Sequence, residues 1–243
     1  MGKMKVEIWS DIACPYCYIG KRKFENALAK FPHANEVELV WHSYELNPDL
    51  PKRPLGQSYY EYFAGLHGSS IEEVKADLQG LVDLAKEVGL DYHFEKLVVA
   101  NTSDALRLVK LAKKHKLADE TEEVLFKAYF VDGEDISDKA TLVRLGTSVG
   151  LPEDEIMTLL NGDEFVVDIE ADIRFSEDEL NLEYIPFYLF NGKDIIQGSL
   201  AEEEYMEVLH NSYNFWKENG VSKGGGGDKR KGRACSPDGT CSI

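Results

Sequence analysis

The sequence predicts an α/β chain in which an all-helical block is inserted between two halves of one sheet-containing domain. Three observations carry that prediction. A β-like run, a helical pattern and a second β-like run follow one another within residues 4–44. From about residue 58 to 181 nearly every apolar periodicity is helical. Strand alternation then returns at Pro186-Phe187-Tyr188-Leu189-Phe190, turns at Asn191-Gly192, resumes at Ile195-Ile196, and gives way to a helical pattern. A β-α-β half and a β-β-α half are expected to assemble across the insert.

Residues 4–10 read as a buried strand, and 15–31 as a helix with apolar Tyr18, Ile19, Phe24, Ala27, Leu28 and Phe31. Pro15 suits the first helical turn, where its missing N–H costs little. Val37 to Tyr44 is the second strand, stopped by Pro48 and Pro51. A strand–helix–strand order this short predicts a parallel pair with a crossover helix. In the insert, Ile71, Val74, Leu78, Leu81, Val82, Ala85 and Val88 keep helical spacing, and Gly89 ends the run. Leu106, Val109 and Ala112 mark the next helix, with Thr102, Ser103 and Asp104 available as caps. Val124 to Tyr129, Leu142–Val149, Pro152–Leu160 and about 164–181 follow, and Leu200 to Trp216 closes the chain's regular structure. The expected division is 1–57 with 182–220 as the sheet domain, 58–181 as the helical insert and 221–243 as a flexible, Gly-rich, basic tail. Gly224–Gly227 reads as its linker.

Composition narrows the function. A net charge of −17 argues against nucleic acid as a partner. No stretch approaches the roughly 20 apolar residues of a membrane span. The first residues show no apolar signal segment, so the expected compartment is the cytoplasm. Four cysteines there point to redox or metal chemistry more than to structural stapling. The tail from Val221 carries five basic and two acidic residues, a net of +3, which leaves −20 on the remainder. It is expected to lie on the body. A coil of its length spans roughly 20–24 Å, against a radius of gyration of roughly 17 Å for a body of this size.

The stretch Trp9-Ser10-Asp11-Ile12-Ala13-Cys14-Pro15-Tyr16-Cys17 carries the chemistry. Its cysteines sit where a strand ends and a helix begins. A thiol there faces unpaired N–H groups and the positive end of the helix dipole. Both favour the thiolate, which is the attacking species. Two intervening residues let one sulfur attack while the other resolves the mixed disulfide. The competing reading is a buried structural pair or half of a zinc site, but zinc knuckles rarely lie on such a junction with proline between the cysteines. For Cys235 and Cys241 the alternatives are a second redox pair, incidental cysteines in a disordered tail, or zinc held jointly with the first pair. His42, in an apolar strand, reads as a core histidine.

With these residues in view, the order of elements is that of the thioredoxin fold, and the chain resembles the DsbA family, in particular its FrnE-like branch of dithiol–disulfide isomerases. The matching stretches are Trp9-Ser10-Asp11 leading into Cys14-Pro15-Tyr16-Cys17, then Tyr44-Glu45-Leu46-Asn47-Pro48, Asn101-Thr102, Lys127-Ala128-Tyr129-Phe130, Asp135-Ile136-Ser137-Asp138 and Ile185-Pro186-Phe187. The tail pair is similar to the Cys-Gly-Pro-Asp-Gly-Cys ending of that branch, with one residue more between its cysteines. The resemblance implies a thioredoxin fold interrupted by an all-helical insertion, with Cys14 as nucleophile and Cys17 as resolving thiol. It further implies that Pro186 is a cis proline offering backbone to an extended substrate. Pro15, Tyr16, Ile185 and Asn101 would line the substrate site; for Asn101, helix capping is the other reading. Tyr184-Ile185 stands where Gly-Val is usual. Related folds place a buried acid in the strand before the motif, so Glu7 is a candidate proton acceptor for the resolving thiol, or else a solvated edge residue.

The expected activity is disulfide exchange with protein or low-molecular-weight thiol substrates, with glutathione or a thioredoxin system as reductant. No cofactor, metal, nucleic acid or membrane is involved. Two other classes share features with it: a glutathione-dependent isomerase or transferase of the 2-hydroxychromene-2-carboxylate isomerase and kappa-class type, which has serine at the first cysteine's position, and a zinc-binding chaperone-like module.

Overall fold

The structure is a computed structural model, described here for residues 2–222, 227–237 and 240–241. Strand β1 (Met4–Ser10) pairs in parallel with β2 (Val37–Ser43) across helix α1 (Pro15–Lys30), as a short crossover requires. β3 (Phe187–Phe190) runs antiparallel to β1 on its other side and turns through Asn191-Gly192 into β4 (Asp194–Gln197). The sheet order is β2-β1-β3-β4, extended at its open edge by a fifth strand, β5 (Lys229–Lys231), parallel to β4. The tail was expected to be flexible; its residues Lys229–Lys231 instead join the sheet. Gly224–Gly226 of the expected linker lie outside the described residues.

Strand pleating sorts the aromatic residues. On one face Phe24 of α1 packs on Tyr188, Phe190 and Tyr205, the last from α9 (Glu202–Asn219). On the other, Trp9 stacks on His42 at 4.3 Å and meets Phe187 edge-on at 5.6 Å. Trp9 is aligned with both His42 and Phe187 in the ladders, so the three share a face. Each fully buried aromatic of this kind contributes about 1.5–3 kcal/mol of transfer free energy.

Between β2 and β3 lie seven helices: α2 (Tyr59–His67), α3 (Ile71–Glu87), α4 (Ser103–His115), α5 (Ala118–Lys127), α6 (Lys139–Ser148), α7 (Glu153–Asn161) and α8 (Val166–Asp178). α2 and α3 each start at a reciprocal serine–glutamate cap, Ser58 with Glu61 and Ser70 with Glu73. α4 is buried nearly all round from Asp104 to Ala112 and forms the insert's axis. Its Arg107 is satisfied by Asp104 and by the carbonyls of Leu159, Gly162 and Glu164, which ties the axis to the α7–α8 connection. α8 returns across β2, where Asp172 accepts from the Ser43 amide at 2.7 Å and the Asp172 carbonyl accepts from Trp9 Nε1 at 3.1 Å. Among the described residues no helix is long and apolar enough to cross a membrane.

Candidate active site

β1 ends at Ser10, and a tight turn delivers Cys14 to the N-cap of α1, with Pro15 at the first helical position. The Cys14 amide donates to Asp11 O, and the Cys17 amide to Cys14 O, each at 3.0 Å. No acid occupies the first turn of α1. Both cysteines are free thiols. Burial pushes the Cys17 thiol well up, and the neighbouring Cys14 pushes it further. Burial likewise pushes the Tyr16 hydroxyl up to about 12, although Arg233 pulls the other way.

The Cys14 sulfur lies 3.9 Å from the carbonyl oxygen of Ile185, whose peptide bond to Pro186 is cis. Ile185 spends both of its backbone groups on the tail: its N–H donates to Cys235 O at 2.9 Å, and its carbonyl accepts from the Cys235 amide at 3.0 Å. Cys235 is disulfide-bonded to Cys241. Cys14 and Cys235 are both fully buried, and Cys241 lines a small, largely apolar cavity of about 50 Å³ with Ala13, Pro15, Tyr59 and Thr102. The expected site residues Cys14, Cys17, Pro15, Tyr16, Ile185, Pro186, Cys235 and Cys241 thus gather around the start of α1 and the turn into β3.

Two expected residues go elsewhere. Glu7 pairs with His42, 3.2 Å away, and not with either thiol; strand alternation turns it to the α8 side of the sheet. His42 also bonds Asp172 at 2.9 Å, and although burial opposes its charge, these two carboxylates raise its pKa. Asn101 is buried, and its amide is spent on the loop after β2: Nδ2 donates to Leu50 O at 2.8 Å, and Oδ1 accepts from the Ser103 amide at 3.0 Å. It fastens that loop, and does not line the cavity.

The buried acid beside the motif is Asp11, a residue with no role expected from the sequence. Burial pushes its carboxyl up to about 6, against hydrogen bonds from the Leu46 amide, the Thr102 hydroxyl and the Ala13 amide. It clamps the turn before Cys14 to the loop after β2. Tyr92, from the insert, was also missed; its hydroxyl donates to Pro15 O at 2.8 Å and anchors the insert to the first turn of α1. An acid isolated in an apolar stretch next to the cysteines was a readable signal for Asp11. Nothing local marks Tyr92.

The profile of the DSBA-like thioredoxin domain matches residues 5–210. The chain belongs to that family. The probable DsbA oxidoreductase SCO1869 of Streptomyces coelicolor is 30% identical, with a TM-score of 0.80 over 99% of both chains. The cytosolic disulfide reductase DsbM of Pseudomonas aeruginosa, solved with GSH, is 15% identical and superposes with a TM-score of 0.59 over 88% of this chain and 98% of that one; at that identity it speaks to the fold alone. The uncharacterized protein YwbO of Bacillus subtilis (strain 168) is 21% identical over 210 residues, 82% of this chain and 96% of that protein. The thioredoxin fold with a helical insertion is therefore common to this chain and its structural neighbours.

Proposed function

We propose that this DsbA-like chain is a thiol–disulfide oxidoreductase of the dithiol–disulfide isomerase type, acting on protein or small-thiol disulfides through Cys14-Pro15-Tyr16-Cys17. The observation that carries the reading is convergence on one residue. Cys14 Sγ is 3.9 Å from Ile185 O, and Cys235 is hydrogen-bonded to the same residue on both sides.

The Cys14 thiolate attacks one sulfur of a substrate disulfide. A Cys14–substrate bond forms, and the other substrate sulfur leaves as a thiolate and takes a proton. Cys17 then loses its proton and attacks the Cys14 sulfur, releasing the second substrate thiol and leaving a Cys14–Cys17 disulfide. Two electrons have passed to the substrate. A thiol with a raised pKa suits Cys17, which keeps its proton until the mixed disulfide exists. The tail then acts as a second redox pair. A reduced Cys235–Cys241 pair attacks the Cys14–Cys17 disulfide, restores the dithiol and closes its own disulfide, which an external thiol such as glutathione or a thioredoxin-type reductant opens again. The pairing in the structure, free Cys14 and Cys17 beside bonded Cys235 and Cys241, matches the end of that step. The exchange runs between sulfurs alone and calls on no flavin, nicotinamide or metal. We place the activity in the cytoplasm, where reductants of this kind keep thiols available for exchange.

Trapping tests the reading. A Cys17→Ser chain cannot resolve, so it should accumulate a mixed disulfide between Cys14 and either a test peptide or the tail, seen by mass under non-reducing conditions. Cys14→Ser should form none and should fail to reduce insulin. Full activity in Cys14→Ser would instead indicate a glutathione-dependent isomerase. A stoichiometric zinc ion in reduced protein would indicate the chaperone-like module.

A further inference from the structure

Residues 228–235 of the tail are seated by close contact. Ile195 donates to Asp228 O at 2.8 Å, Gly232 to Gln197 O at 2.7 Å, and Ser199 to Arg233 O at 2.7 Å, before Cys235 reaches Ile185. The backbones cross so closely near Ser199 that a Cβ on Gly232 would lie 2.2 Å from the Ser199 oxygen. Gly198, at φ +90°, leaves the same room from the other side. Gly232 is therefore a fitted residue, although it lies in a stretch that reads as flexible tail. Three of its basic side chains find partners on an otherwise acidic body. Arg230 bonds Glu207 at 2.9 Å, Lys231 pairs with Glu183 and lies over the Tyr184 ring, and Arg233 hydrogen-bonds Tyr16.

This seat closes the reacting centre. Cys14 has 0% exposure, as has Cys235 above Ile185. A sulfur so enclosed cannot meet an external disulfide. We propose that residues 228–235 are a tethered competitor of the substrate, and that the substrate is an extended, basic, cysteine-bearing polypeptide segment that adds beside β4 with its cysteine opposite Ile185. The proposal rests on Cys14 being the exchange nucleophile. Backbone pairing along the β4 edge supplies affinity without regard to sequence. Selectivity comes from Glu207, Glu183 and Tyr16, which now hold basic residues five, four and two positions before the tail cysteine. Substrate binds only the fraction of chains whose tail has left, so a tail seated nine times in ten weakens apparent affinity about tenfold.

The test uses the full chain and its Gly232→Val variant, whose added side chain cannot fit against Ser199. Amide exchange at Ile185 and Ile195 reports the tail, since both N–H groups are bonded to it. The substrate is a synthetic peptide with Arg or Lys two, four and five positions before its cysteine, offered as its mixed disulfide with glutathione, beside a counterpart with Glu at those positions. In Gly232→Val, protection at both amides should fall, Cys14 should alkylate faster with iodoacetamide, and KM for the basic peptide should drop about tenfold. The Glu peptide should stay the poorer substrate in both chains. Protection retained in Gly232→Val would show that the tail does not sit in this seat. Protection lost with alkylation and KM unchanged would show that it does not compete. Equal KM values for the two peptides would overturn the substrate class. Exchange with oxidised glutathione in the same two chains reads Cys14 by itself: if both lack it, the exchange reading falls and this one with it, whereas exchange intact with KM unmoved sinks the competitor alone.

Discussion

The two cysteine pairs reach the same place by different routes. Cys14 and Cys17 are carried there by their immediate neighbours: a strand before, a helix after, and a core of Trp9, Phe24 and Tyr188 beneath. Cys235 arrives from the far end of the chain, held by backbone pairing along a sheet edge and by ion pairs at its rim. The first arrangement cannot loosen without unfolding the domain. The second can detach as a local unit with little cost to the rest. A cysteine held rigidly and a covering segment that can detach are together what the proposed exchange site needs.

Breaking the first pair should give the largest effect. Cys14→Ser removes the attacking sulfur, and disulfide exchange should fall by about three orders of magnitude or more, to background. Replacing both tail cysteines by serine should leave exchange with oxidised glutathione measurable, since Cys14 and Cys17 suffice for it. The core under the first pair should be equally intolerant. Phe24 is 1% exposed and touches Tyr188, Phe190 and Tyr205. Phe24→Ala should cost about 3–5 kcal/mol in denaturant melts, whereas Gly232→Val, which evicts a peripheral strand, should cost the global transition far less.

A third prediction uses pH to separate the two regions. Glu122 of α5 is 1% exposed, one of its carboxylate oxygens has no hydrogen-bond partner, and burial pushes its pKa from 4.5 up to about 8, with Lys21 pulling the other way. The folded chain therefore holds a proton that the unfolded chain releases. Stability from this group is full below about pH 4.5 and is lost as pH rises to about 8. Glu122→Gln should flatten that slope. It should match the wild type near pH 4 and exceed it at pH 8 or above by about 3–5 kcal/mol. An unchanged pH profile in the variant would mean that Glu122 is charged when folded. Asp11, raised to about 6 by burial, should add a smaller loss of the same sign between about pH 4 and 6.

How far the sequence could be read divides along the same line. β1, α1, β2 and the β3–β4 hairpin were legible because hydrophobic period, Pro15 and Asn191-Gly192 are local signals. The cysteine motif is local in the same way, whereas the cis bond at Pro186 was expected only from the family resemblance. The β5 strand was not legible: Lys229-Arg230-Lys231 has neither alternation nor apolar content, and it is a strand only because β4 offers an open edge. Glu7 was misjudged because strand facing depends on which side α8 covers, a tertiary fact. Asn101 was expected at the site because its stretch matched the family, yet its amide satisfies the Pro48 and Leu50 carbonyls, a need visible only once that loop has a path.

The smallest expected effect sharpens the contrast most. Arg230–Glu207 and Lys231–Glu183 lie at the rim, and exposed pairs of this kind contribute about 0.2–1 kcal/mol each. Salt screens them: the Debye length falls from about 10 Å at 0.1 M to about 3 Å at 1 M. Raising salt over that range should speed amide exchange at Ile195 by a few-fold, because its N–H is bonded to Asp228 of the tail. The amide of Tyr188, in a central strand paired on both sides, should not respond. Arg230→Ala should speed Ile195 exchange at low salt and remove part of the salt response, leaving the share of Lys231–Glu183, while the free energy of global unfolding stays within about 1 kcal/mol of the wild type. If instead Ile195 and Tyr188 slowed or quickened together, the tail would open only with the whole sheet, and the covering strand could not leave the active cysteine without unfolding it.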